Sequence, residues 1–182
     1  MDPRAADEPR PWLAVGRELT ELLDRVDPDV FAAFAREAEA AGDRWFFTGQ
    51  GRSGLAAQMA AMRFMHLGRD AHVLGEATAP SVRRGDRLVI VSGSGRTPVS
   101  VGFARIAKDE GARLLLVTYT PDSPLGELAD VTLVAPVRES EQLMGNLFEQ
   151  SALVLLDAVA IHVAEHDPDA KAAMSLRHTN MQ

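Results

Sequence analysis

Apolar positions along this chain follow a helical spacing at both ends and alternate between two spacings in the middle. From Pro11 to Leu23, the residues Trp12, Val15, Leu19, Leu22 and Leu23 recur three to four apart, which predicts a helix. Asp27-Pro28 reads as an N-cap followed by proline in the first turn, opening a second helix that runs to about Ala41, before Gly42. Short apolar runs then predict strands at Arg44–Thr48, Ala71–Gly75, Arg87–Ser92, Arg113–Tyr119 and Val131–Ala135. Helical stretches fall between them at about Ser53–Leu67, Pro98–Glu110 and Ser123–Leu128. A long helix is expected over about Glu141–Glu165, and a short one from Asp167-Pro168. Residues 1–10 read as a disordered tail, leaving 11–182 as one domain with N-terminal helices and a C-terminal helical tail.

The strands are apolar almost throughout, as expected of a parallel sheet covered on both faces. Strict βα alternation with right-handed crossovers predicts an α/β fold, a three-layer α/β/α sandwich on a five-stranded parallel sheet. The expected strand order is 2-1-3-4-5. It places strands 1 and 3 side by side at a topological switch point, where open α/β sheets bind ligands beyond the carboxyl ends of their strands.

Both of those strands are followed by the same motif. Gly49-Gln50-Gly51-Arg52-Ser53 follows the first and Gly93-Ser94-Gly95-Arg96-Thr97 the third. Glycine lets the backbone turn tightly near a ligand, and the helix that follows directs free N–H groups at an anion. Two such loops facing each other predict a crevice for a phosphorylated small molecule. The chain has 182 residues and a formal net charge of −7, which argues against a nucleic-acid partner. It has no cysteine, so thiol chemistry and disulfides are excluded. No run approaches about 18 uninterrupted apolar residues, so no membrane span or membrane partner is expected, and a reducing cytoplasm is the expected location.

Residues 49–54 also spell Gly-x-Gly-x-x-Gly, with Glu76 22 positions beyond Gly54 where a ribose-binding acid would sit. A dinucleotide cofactor is therefore one alternative. It leaves the second loop and its hydroxyls without a purpose.

For phosphate the candidates are Ser92, Ser94 and Thr97, with Gly51 and Ser53 from the facing loop; the competing reading is that these hydroxyls only cap helices. Arg52 and Arg96 either add charge there or point to solvent. Glu149 lies among Leu143, Leu147, Phe148 and Leu153, where apolar neighbours suit a general base; it could equally be a first-turn glutamate favoured by the helix dipole. His178 is a candidate for moving hydroxyl protons, or part of a frayed surface tail. Glu76 is a candidate for contacts with substrate hydroxyls. His66, His72, His162 and His166 show no metal-ligand spacing with a third partner and read as structural or surface residues, so no metal is expected.

These motifs resemble the sugar isomerase (SIS) domain family and, within it, the 6-phospho-3-hexuloisomerases. The likeness rests on the two Gly loops and on Met62-Arg63-Phe64-Met65-His66-Leu67-Gly68, Gly75-Glu76 and Ser123-Pro124-Leu125-Gly126. It extends through Met144-Gly145-Asn146-Leu147-Phe148-Glu149 to Arg177-His178-Thr179-Asn180. Gln50, Asn146 and Arg96 depart from the residues common in that family. The resemblance implies interconversion of D-arabino-hex-3-ulose 6-phosphate and D-fructose 6-phosphate, without metal or organic cofactor, in the ribulose monophosphate route of formaldehyde fixation. It implies roles for Glu149 and His178 in catalysis, and a homotetramer (or dimer) with sites shared between subunits. The alternatives are another isomerase, such as one for arabinose 5-phosphate, and a non-catalytic sugar-phosphate-binding regulator.

Overall fold

A computed structural model describes residues 10–39 and 43–181. The expected tail over residues 1–10 thus lies outside the described residues except for Arg10, as does the expected end of the second helix near Ala41. The elements follow in the order α1 (Pro11–Leu23), α2 (Pro28–Glu39), β1 (Arg44–Gly49), α3 (Arg52–His66), β2 (Asp70–Val73) and β3 (Arg87–Val91). Then come α4 (Pro98–Asp109), β4 (Arg113–Thr118), α5 (Pro124–Leu128), β5 (Val131–Val134), α6 (Asn146–His166), α7 (Pro168–Ala172) and α8 (Met174–Arg177).

All strand pairs are parallel, as the alternation of elements predicts, and the order is the expected β2-β1-β3-β4-β5. Successive strand side chains point to opposite faces, and each face has its own core. Trp45, Phe47, Val89, Val91, Leu115 and Val117 pack with residues of α1, α2, α3 and α6. Phe46, Leu88, Ile90, Leu114 and Leu116 pack with α4 and with Leu125 of α5. Both faces are dry, which explains why the strands carry apolar residues without alternation.

The long helix begins at Asn146, later than the apolar pattern suggests. Glu18 of α1 accepts hydrogen bonds from the Ser140 hydroxyl (2.6 Å) and the Glu141 backbone N–H (2.8 Å), and so holds that segment as loop. Met144 then takes a left-handed φ of 53° before Gly145 starts the helix. By length and composition α6 is apolar enough to cross a membrane, with a mean hydropathy of 1.5. Its apolarity serves the core instead: Leu147, Phe148, Ala152, Leu155, Leu156, Val159 and Val163 are buried against the sheet and the neighbouring helices.

Candidate functional site

The pairing of β1 with β3 aligns Gly49 with Val91, so the loops that follow leave the sheet side by side. Adjacent strands lie about 4.8 Å apart, which makes the two Gly-x-Gly-Arg turns the two lips of one crevice. Gly49 permits the close approach of strand and helix on its side. A Cβ there would lie 2.7 Å from the Ser53 carbonyl carbon and 2.8 Å from the Gly54 nitrogen. Gly51 adopts a φ of +57° and faces open space, so the backbone at the lip is bare. The second loop is tied to β4 by the Thr118 hydroxyl, which donates to the Gly93 carbonyl (2.8 Å).

Three helices begin at this crevice or beside it, and none uses a side chain to cap itself. Thr97, the N-cap of α4, makes no capping hydrogen bond, and α3 and α6 start at glycines. By contrast α2, α5 and α7 take caps from Asp27, Ser123 and Asp167. The reading of the loop hydroxyls as mere caps therefore fails for Thr97. The unsatisfied N–H groups at the starts of α3 and α4 suit an anion. Ser92 is buried at the end of β3, Ser53 and Thr97 are half-buried, and Ser94 is exposed, its oxygen accepting the Arg96 N–H (3.3 Å). Arg96 turns aside and donates to the Asp122 carbonyl (3.2 Å).

The first turn of α6 lies over the same crevice. Phe148 is buried and packs against the second loop, where a Cβ on Gly93 would meet it at 3.1 Å. Glu149 reaches the first loop, where Arg52 Nε donates to its Oε2. Its side chain is 17% exposed, so it borders the crevice without being sealed from it. Arg52 anchors one carboxylate oxygen, Oε2, while the other, Oε1, lies on the Gly145 side, 3.7 Å from where a Cβ on that glycine would stand. A small cavity of about 160 Å³ adjoins the pair, lined by Leu55, Ala56, Met59, Gln150 and Leu153. Larger clefts lie elsewhere, including one of about 350 Å³ between α3, α6 and α7.

Glu76 stands exposed in the loop after β2, on the same edge of the sheet. His178 does not join the others. It sits after α8 with its ring stacked on His66 (centroids 5.3 Å apart), at the far end of α3 from Arg52. At about 1.5 Å per residue, that end is roughly 20 Å away. Arg177 holds the tail there by donating to the His66 carbonyl (3.3 Å).

Tyr119 escaped the sequence reading. Its ring meets Phe148 edge-on (centroids 5.4 Å) over the second loop, and it is 43% exposed. Its position at the end of β4, next to the switch point, was the one available signal.

A parallel sheet of order 2-1-3-4-5 with helices around it belongs to the doubly wound α/β class, in which ligands bind in the switch-point crevice. Its family follows from comparison. Residues 40–162 match the SIS domain, and the chain belongs to that family. It is 39% identical over 173 residues to a protein of Mycobacterium gastri named 3-hexulose-6-phosphate isomerase, covering 91% of this chain and 86% of that one. A Bacillus subtilis protein of the same name is 36% identical, covering 75% of this chain and 79% of its own. Among solved structures, a Methanococcus jannaschii protein superposes with a TM-score of 0.82 at 29% identity, covering 93% of this chain and 97% of that one. A molecular function of 3-hexulose-6-phosphate isomerase was inferred from that structure.

Proposed function

We propose that this chain is an intramolecular isomerase that interconverts D-arabino-hex-3-ulose 6-phosphate and D-fructose 6-phosphate, in the cytoplasm, as a step of the ribulose monophosphate route. The observation that carries this reading is the Arg52–Glu149 pair set over two phosphate-type loops. The phosphate lies between the loops, held by the hydroxyls of Ser53, Ser92, Ser94 and Thr97 and by the helix N–H groups. Its binding energy fixes the far end of the sugar so that C2 and C3 meet Glu149. The Glu149 carboxylate removes the proton from C2, giving a C2–C3 cis-enediol, and returns it to C3 as the carbonyl moves from C3 to C2. A proton passes from O2 to O3 in the same event, which is the task of His178. Glu76 contacts the sugar hydroxyls.

His178 reaches the crevice from a second copy of the chain. Leu55, Met59 and Met62 form an exposed apolar stripe along α3, which Val154 and Ile161 of α6 widen. Two copies packed antiparallel along this stripe would set the His178 end of one α3 beside the Arg52 end of the other. Such packing also walls in the small cavity at Glu149, since a ligand site usually needs about 300 Å³ or more. A homodimer is the minimum assembly, and a tetramer is built from two of them.

The test is turnover of fructose 6-phosphate to the 3-ulose, with Glu149→Gln alongside. Turnover should fall by about 10²–10⁴-fold in the variant while sugar-phosphate binding persists. A wild-type protein that binds fructose 6-phosphate but does not convert it is a sensor, and the isomerase reading is lost. A variant that turns over normally removes Glu149 from its role.

A further inference from the structure

The five histidines of the chain include one pair that acquires a carboxylate from another element. His162 and His166 stand four residues apart on α6, with ring centroids 4.2 Å apart. Glu39, the last described residue of α2, crosses to them: its Oε1 lies 2.7 Å from His162 Nε2. One ligating atom from each of the three residues lies within 4.8 Å of the others. Sequence spacing shows only the pair of histidines; the third partner is 123 residues away and arrives through packing of α2 on α6.

From this we propose that Glu39, His162 and His166 form a binding site for a divalent transition metal of the zinc(II) class, which clamps α2 to α6. Two imidazoles and one carboxylate are a ligand set zinc accepts, with a fourth position left for water. The tautomer of His166 is already the one a ligand needs. Its Nδ1 lies 2.8 Å from the His162 carbonyl, which can only accept, so Nδ1 carries the proton and the neutral ring presents the Nε2 lone pair. A metal ion takes the place between His162 Nε2 and Glu39 Oε1, and the neutral ring then carries its single proton on Nδ1. Metal bonds near 2.0–2.1 Å separate tetrahedral ligand atoms by about 3.4 Å, so a modest rotation of the exposed His166 closes the cluster. Arg69 steadies the third ligand by donating to the Ala38 and Glu39 carbonyls (3.3 and 3.4 Å) at the end of α2. The hydrogen bond from His162, above all, also holds the Glu39 carboxyl below its ordinary range.

The cluster sits near the far end of α6 from Glu149, about 20 Å along the helix. The metal is therefore structural, and the proposal stands apart from the isomerase reading. Chelator-stripped protein would be titrated with Zn²⁺ by calorimetry and by thermal melting, and with Co²⁺ as a spectroscopic probe. One ion per chain should bind at micromolar metal, with a Tm that climbs with Zn²⁺ and visible Co²⁺ bands of a four-coordinate ion. His166→Ala leaves the His162–Glu39 contact in place, so its metal-free Tm should stay near wild type while Zn²⁺ affinity falls at least about tenfold. Glu39→Gln should lose affinity likewise. The proposal is overturned by an absence of saturable binding, or by equal affinity in wild type, His166→Ala and Glu39→Gln. The second outcome would assign the ion to another site, such as the stacked His66 and His178.

Discussion

Two glycines of the first loop make opposite demands, and substituting each separates fold from function. In Gly51→Ala the methyl group meets nothing within 4 Å, but the residue keeps a φ of +57°. With ψ at −133° this backbone lies in a sparsely populated, glycine-favouring region that costs another residue about 1–3 kcal/mol, and a chain of this size loses about 2–4 °C of Tm per kcal/mol. A fall of roughly 2–12 °C is expected by calorimetry. The methyl group also occupies the bare lip of the crevice, so KM for fructose 6-phosphate should rise about tenfold or more as one N–H contact to the phosphate is lost. In Gly49→Ala the new Cβ meets backbone of Ser53 and Gly54 at 2.7–2.8 Å, where no side chain can yield. Helix α3 must then lift from β1, at the upper end of overpacking costs, about 3 kcal/mol or more. Its Tm should drop by about 6–12 °C. A Gly49→Ala protein that melts within 2 °C or so of wild type, or a Gly51→Ala enzyme with unchanged KM, would refute this account of the loop.

Ser92→Ala and Ser94→Ala should each raise KM several-fold with kcat little changed, and an unchanged KM in both counts against the phosphate assignment. Inactive Glu149→Gln and His178→Ala proteins, mixed and allowed to exchange subunits, should regain turnover, because one mixed site has both groups intact. No recovery in a mixture shown to contain hetero-oligomers would place His178 outside the site. His66 is buried, and burial first, then the nearby charges of His178 and Arg63, holds its imidazole below the ordinary range. As pH falls the unfolded chain takes up that proton before the folded one, so stability is full above about pH 6.5 and is lost below it. Melting curves between pH 7.5 and 5 should show this loss in wild type and a weaker one in His66→Gln; identical curves would dismiss His66 as the cause.

Local chemistry made much of this protein legible in its amino-acid order. Apolar runs at Trp45–Phe47, Leu88–Val91 and Leu114–Val117 dictated strands buried on both faces, because no polar side remained to meet water. Asp27, Ser123 and Asp167 announced their helix starts, since a capping oxygen acts within three residues of itself. The strand alternation announced a doubly wound sheet, and the order 2-1-3-4-5 expected of five such strands brings the two glycine turns together. What packing alone decided were relations across long stretches of chain. Glu18 keeps the segment before α6 out of the helix, from 123 residues away. Arg52 finds Glu149 across 97 residues, Tyr119 closes on Phe148, and Glu39 completes the histidine pair of α6. The tail carrying His178 docks on the far end of α3, where Arg177 binds it. Periodicity fixes which face a residue occupies. Which residue of another element stands opposite depends on how helices slide and turn as their side chains interlock, and only the folded core sets that.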